Sequence, residues 1–188
     1  MQFIKKYKTQ LLFFTLLLFT ILIRVVNLAG HPDGLNQDEA SIGYDAWSIL
    51  NYGIDRNGIS YPIHLVAWGS GQNALYAYLS MPFIAIFGLN TFSIRIVMAI
   101  FSILSVIGVY FIVKQFFGRK ASFIAMALYS FCPWTVMSAR WSLESNLYPM
   151  LFVLGLWALV GSLKHNSLIY LAAFIFSMTL YSYGPAYL

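Results

Sequence analysis

Two adjacent carboxylates, Asp38 and Glu39, are the residues of this chain best suited to chemistry. The chain has only six acidic residues among 188, and a carboxylate near a membrane is costly unless it is solvated, paired or used. A carboxylate acts as a general base when it lies within hydrogen-bond reach of the proton that it removes. A helix N-cap explains Asp38 alone equally well. Glu39 favours chemistry, because a cap needs one carboxylate and two adjacent ones repel each other.

The elements that must position this pair are membrane helices. Hydrophobic residues make up 60% of the chain and charged residues 9%, which is typical of a multi-span membrane protein. The formal charge of +5 does not indicate a nucleic-acid partner, because the basic residues form short clusters between apolar runs. The composition therefore predicts an all-α, multi-span transmembrane helical bundle.

Five apolar segments are predicted to cross the membrane. They cover approximately residues 11–29, 96–113, 121–139, 147–163 and 167–188. The first would span about 28 Å, close to the thickness of a hydrocarbon core. A cleaved signal peptide is the alternative for this segment, but no small-residue cleavage site follows it, which favours a retained helix.

The loop between the first two predicted spans, residues 30–92, differs in composition from the rest of the chain. It carries turn residues and most of the acids. Either Asn36 or Asp38 could cap a helix over residues 38–52 that ends at Gly53. Its apolar residues at helical spacing predict one buried face, and Asp38 and Asp45 share the opposite face. A second juxtamembrane helix is predicted over residues 73–87, bent or interrupted at Pro82.

The charges predict the orientation. Seven of the eleven basic residues and no acid fall in the segments that are inside when the N-terminus is cytoplasmic. The other four basic residues and all six acids fall on the outer side. The positive-inside rule therefore favours a cytoplasmic N-terminus in the cell membrane, and the acids place the active site on the outer face.

Further candidate site residues lie near the outer ends of the predicted spans. They are Arg140, Glu144, Tyr181 and Tyr183. Arg140 could hold a phosphate bidentately, or it could form a helix-surface ion pair with Glu144 four residues later. These two interpretations are equally supported.

A divalent metal is a weaker hypothesis. His31 and His64 share the outer loop with the acids, but their spacing matches no metal-binding motif. No cofactor is predicted with certainty.

The order of several short motifs resembles the GT-C membrane glycosyltransferases, and most closely the protein O-mannosyltransferase and aminoarabinose-transferase-like set. Besides Asp38-Glu39, the motifs that carry the resemblance are Phe87-Gly88 through Ser93-Ile94-Arg95, Phe117-Gly118-Arg119-Lys120, Cys132-Pro133-Trp134, Ser138-Ala139-Arg140 with Glu144, and Tyr181-Ser182-Tyr183. Each motif is weak alone, and their combined order is more specific. The resemblance extends over essentially the whole chain, which we expect to be an N-terminal portion of a longer protein.

The resemblance implies a reaction and its partners. The donor would be a sugar on a polyprenyl phosphate. The acceptor would be a hydroxyl on a protein, lipid or glycan, and membrane lipids would surround the helices. Asp38 would be the base, with Glu39 positioning either the acceptor or Asp38, and transfer would invert the anomeric centre. Glu144 would be a second outer acid, where relatives often carry Asp.

Two other functional classes compete with an enzyme. A transporter normally has ionisable residues inside its spans, whereas here the charges lie near the ends. A non-catalytic membrane scaffold is the other alternative. Loss of activity in Asp38→Asn would favour an enzyme over a scaffold, and solute flux would favour a transporter.

Overall fold

The computed structural model describes residues 2–67 and 70–184, which form seven α-helices and one small antiparallel sheet. The helices are α1 Gln2–Val25, α2 Gln37–Tyr52, α3 Leu75–Phe87, α4 Thr91–Phe131, α5 Pro133–Arg140, α6 Glu144–Ser162 and α7 Leu168–Leu180. Strands β1 (His64–Ala67) and β2 (Ser70–Asn73) pair between α2 and α3. The predicted all-α membrane bundle with two helices in the first long loop is confirmed, and the sheet is an addition to it.

Within the described residues, three helices are long and apolar enough to cross a membrane. They are Tyr7–Val25 of α1, all of α4 and all of α6, while α3 and α7 are shorter apolar helices. Helices lie over all five predicted spans, but the ends differ from the predicted ones. The fifth predicted span is shorter, since α7 ends at Leu180, and residues 185–188 lie outside the described part.

The long helix α4 is a hairpin of two helical limbs, residues 91–117 and 119–131. At Gly118 the chain leaves helical geometry with φ +77° and ψ −177°, a conformation that favours glycine because it has no Cβ. Tyr110 and Phe123 then meet across the two limbs with ring centroids 5.2 Å apart. The second limb ends at Phe131 rather than near residue 139, because Pro133 lacks an N–H and disfavours helical geometry in the residue before it.

Helix α2 begins and ends through side-chain and backbone caps. Asn36, not Asp38, is the N-cap: its side chain accepts a hydrogen bond from the backbone N–H of Asp38. The interpretation of Asp38 as the cap is therefore wrong. At the other end Gly53 adopts φ +72° and donates its N–H to Ile49, as the sequence predicted.

The predicted apolar face of α2 is buried in protein rather than in lipid. Ile42, Ala46 and Ile49 are at most 1% exposed and pack into the main core with residues of α3, α4 and α6. Asp45, expected on the opposite, polar face, is fully buried against Arg56. Helix α3 continues through Pro82 without a break.

Candidate active site

A cavity of about 310 Å³ lies where α2, β2 and the start of α6 meet. Its lining includes Asp38, Gln72, Glu144 and Tyr183. The structure thus brings together three of the predicted site residues and adds Gln72, which the sequence analysis did not single out. Tyr181 is 54% exposed and does not line this cavity.

Asp38 is the available carboxylate of the cavity. Its backbone N–H is used by the Asn36 cap, but its carboxylate has no hydrogen-bond or ion-pair partner within residues 7–67 and 71–184. It is partly exposed and close enough to Glu144 for their charges to interact. A carboxylate in this situation is free to accept a proton from a bound hydroxyl group.

Glu39 has the opposite environment, because it is fully buried and its carboxylate is saturated with donors. Arg95 donates from Nε to Oε1 and from Nη2 to Oε2, at 2.9 Å each. The backbone N–H groups of Ser142 and Asn36 donate to the same two oxygens, at 2.9 Å and 3.0 Å. Glu39 therefore fixes the position of α2 from behind the cavity and has no free lone pair for a substrate.

Arg95, which sequence analysis did not connect to Glu39, uses its remaining donors on the loop after α1. Its guanidinium donates to the carbonyl oxygens of Leu28, Pro32 and Gly34 at 3.3, 2.8 and 2.6 Å. A buried arginine at the start of an apolar helix requires such partners. The need of a buried Arg95 for such partners was the sequence signal that could have predicted its pairing with Glu39.

Glu144 begins α6 and accepts a hydrogen bond from the backbone N–H of Asn73 at the end of β2. The sheet that the sequence analysis missed therefore connects the outer loop to α6 at the cavity. Gln72, one residue earlier on β2, is 6% exposed and lines the cavity beside Asp38.

The orientation of the Gln72 amide follows from a chain of hydrogen bonds behind it. Arg56 forms an ion pair with buried Asp45 at 2.6 Å and also donates to the hydroxyl of Ser41. The Ser41 hydroxyl accepts from this guanidinium, which can only donate, and it donates its own proton to Oε1 of Gln72 at 2.9 Å. The Gln72 NH₂ group is then left as a hydrogen-bond donor at the cavity.

Arg140 lies outside this cavity and caps the end of α1. Its guanidinium donates to the carbonyl oxygens of Ile23, Val26, Asn27 and His31, at 2.8 to 3.2 Å. These bonds connect the end of α5 to the end of α1 and the turn after it, and they occupy four of the five N–H donors of Arg140. Burial lowers the pKa of Arg140, and the charge of Arg95 lowers it further. Bidentate phosphate binding by Arg140 is not available while these bonds hold.

The alternative ion pair between Arg140 and Glu144 is also absent. Helix α5 ends at Arg140 and α6 begins at Glu144, so the two residues are not one turn apart on a common helix. The intervening turn is held by Glu39, which accepts from Ser142, and by Asn146, whose side chain donates to Trp141 at 3.0 Å. The ion-pair prediction assumed a continuous helix and is wrong.

His31 and the acids of the outer loop were the possible metal ligands in the sequence. Across the described part of the chain, no three His, Cys, Asp or Glu side chains come together as potential metal ligands. His31 lies next to exposed Asp33, at 3.7 Å, and does not line the cavity that contains Asp38.

Comparison with known families identifies the class of protein. The sequence model described as dolichyl-phosphate-mannose-protein mannosyltransferase matches residues 72–188, more than half of the chain. The chain belongs to this family. The mannosyltransferase family is one of membrane glycosyltransferases of the GT-C type, as the resemblance implied.

The matched segment includes most of the cavity but not its free carboxylate. It starts at Gln72 and contains Glu144 and Tyr183, whereas Asp38 and Glu39 precede it. No curated protein and no solved structure gives a significant match. The role of Asp38 therefore depends on the geometry of the cavity and on the resemblance of the Asp-Glu motif.

Proposed function

We propose that this protein transfers a sugar from a polyprenyl-phosphate donor to an acceptor hydroxyl at the outer membrane face, with Asp38 as the general base. The observation that carries the proposal is the contrast between the two adjacent acids. Glu39 is fully bound within the protein, while the carboxylate of Asp38 faces a cavity without a partner among the described residues. The membrane glycosyltransferase family supplies the reaction class.

The chemistry of the cavity supports binding of a neutral, hydroxyl-bearing group. Asp38 and Glu144 offer acceptors for hydroxyl protons, and Gln72 offers a donor for a hydroxyl oxygen. Two carboxylates disfavour a phosphate in the same space, because like charges repel. We therefore assign the acceptor hydroxyl to the Asp38 cavity and the donor phosphate to a position outside it.

The proposed mechanism needs little from the protein beyond a base and correct placement. Asp38 removes the proton of the acceptor hydroxyl as its oxygen attacks the anomeric carbon. The lipid phosphate leaves with the electrons of the broken bond, and attack opposite the leaving group inverts the anomeric centre. Glu144 and Tyr183 would contact the acceptor from the α6 and C-terminal sides of the cavity.

Substitution of Asp38 by Asn tests this proposal. Asn keeps the size and hydrogen bonding of the side chain but cannot take a proton, so transfer should fall by about 10²–10⁴-fold. Transfer is measured with dolichyl-phosphate-mannose as donor and a Ser/Thr peptide as acceptor, using protein in detergent micelles. The melting temperature should stay unchanged, because Asn36 and not Asp38 caps α2.

The matched control is Asp33→Asn, which removes the same charge from an exposed acid of the same loop. The Asp33 side chain is 94% exposed and does not line the cavity, so transfer should stay at the level of the unmodified protein. Equal transfer rates in Asp38→Asn and in the unmodified protein would rule out the base role.

A further inference from the structure

A second polar cavity lies at the opposite end of the bundle from the Asp38 cavity. It has a volume of about 480 Å³ and lies between the start of α1 and the turn of the α4 hairpin. Its lining includes Thr9, Gln10, Phe14, Phe111, Lys114 and Arg119. It combines two cations and two hydrogen-bonding side chains with an aromatic wall.

The two cations of this cavity have no acidic partner within the described residues. Lys114 lies over the rings of Tyr110 and Phe111, at 5.6 and 5.7 Å from their centroids, and Arg119 donates to the Thr9 hydroxyl at 3.3 Å. All six acids of the chain lie in residues 33–55 or at residue 144, beyond the other end of α1. None of these six acids is therefore placed to supply the counter-charge for Lys114 and Arg119.

We propose that this cavity binds the phosphate headgroup of an anionic phospholipid. Lys114 and Arg119 supply positive charge at the membrane interface, and Thr9 and Gln10 can hydrogen-bond the phosphate or its substituent. Phe14 is 62% exposed and Phe111 is 38% exposed, and both are placed to contact the acyl chains below the headgroup. A free phosphate ion would use the cations alone and leave these aromatic surfaces uncovered.

This lipid is distinct from the proposed sugar donor, because the cavity lies at the end of α1 opposite Asp38. Thr9 is about 22 Å along α1 from Arg24, at a rise of about 1.5 Å per residue. The site would bind a resident lipid that joins α1 to the α4 hairpin. Its occupancy should raise the stability of the bundle, because a ligand that binds only the folded state stabilises it.

Lipid binding is measured on the whole protein in detergent micelles by native mass spectrometry and by melting temperature. The probes are dioleoyl-phosphatidylglycerol, dioleoyl-phosphatidylcholine with the same acyl chains, and inorganic phosphate. The phosphatidylglycerol should bind and raise the melting temperature. The double variant Lys114→Gln/Arg119→Gln should lose about 30-fold in affinity, at about fivefold for each cation.

The control Lys164→Gln removes a charge from the connection between α6 and α7, outside the cavity, and should bind phosphatidylglycerol normally. The charge-preserving pair Lys114→Arg/Arg119→Lys should retain binding. Equal loss in Lys164→Gln, equal binding of phosphatidylcholine, or equal stabilisation by inorganic phosphate would each overturn the lipid site. Should the double variant not fold, each single variant, with its expected fivefold loss, decides the same question.

Discussion

Neighbouring positions on an α-helix point about 100° apart, which gives Asp38 and Glu39 different roles. One carboxylate faces the cavity, and the other faces the interior, where Arg95 meets it. The sequence predicted a role in chemistry for this pair, because adjacent acids are costly in an apolar chain. It did not predict which acid is free, because that depends on Arg95, which lies 56 residues beyond Glu39.

Gln72 should determine how well the acceptor binds, because its amide is held as a donor at the cavity by Ser41. Gln72→Leu removes the amide donor and leaves an oxygen of the bound acceptor substrate without a hydrogen bond. The loss costs about 1–3 kcal/mol, or about 5- to 150-fold in kcat/KM for the acceptor substrate. Ser41→Ala should have a smaller effect in the same direction, because the amide is present but no longer fixed. Initial rates at varied peptide concentration measure both effects.

The control for this substitution is Gln115→Leu, which removes an amide from the first limb of α4, outside the Asp38 cavity. Its kcat/KM should equal that of the unmodified protein. If Gln72→Leu transferred sugar with an unchanged kcat/KM while Asp38→Asn was inactive, Gln72 would have no part in acceptor binding.

At the scale of elements, the sequence predicted α2 and α3 well, because helical periodicity and caps are local signals. It missed the β1–β2 sheet, whose residues 64–73 show little apolar alternation. It also missed the break between α5 and α6, where Trp141-Ser142-Leu143 contains neither Gly nor Pro. That turn depends on a tertiary bond from Ser142 to Glu39, which no local pattern encodes.

The buried pair of Glu39 and Arg95 should hold these elements together, since it connects α2, α4, the loop after α1 and the α5–α6 turn. Glu39→Gln or Arg95→Met leaves buried polar groups unpaired and should cost about 3–5 kcal/mol of unfolding free energy. The measurement is thermal or denaturant unfolding in detergent micelles. Asp38→Asn is the matched control, one residue away, and should keep its stability.

The same experiment separates a positioning role of Glu39 from a direct catalytic one. A positioning residue should lower stability strongly, and transfer by the folded fraction should fall less than in Asp38→Asn. A Glu39→Gln protein of normal stability with transfer reduced by 10²-fold or more would instead support direct participation in the reaction.

Across the whole molecule, the charges separate along the helix axes. All four arginines at the acidic end are bound to the protein: Arg24 to Ser102 and carbonyl oxygens, Arg56 to Asp45, Arg95 to Glu39, and Arg140 to the end of α1.

At the other end, Phe111 of α4 stacks on Trp157 of α6 with ring centroids 5.8 Å apart. This contact brings the end of α6, followed by Lys164, to the same end of the bundle as Lys114 and Arg119.

This separation predicts the orientation in the membrane, with the basic end cytoplasmic and the Asp38 cavity on the outer face. In a Cys132→Ser background, Asp33→Cys and Asn166→Cys place one thiol at each end of the bundle. A membrane-impermeant maleimide added to intact cells should label position 33. It should label position 166 only after the membrane is permeabilised, because the connection between α6 and α7 lies on the inner side.

Labelling after permeabilisation is the control for thiol reactivity, and both positions should then react fully. Labelling of position 166 but not position 33 in intact cells would reverse the orientation and place the Asp38 cavity on the cytoplasmic face. Labelling of both positions from outside would contradict the antiparallel arrangement of membrane-crossing helices. Only the expected pattern is compatible with an outer-face acceptor, because a hydroxyl must reach Asp38 from the side on which its cavity opens.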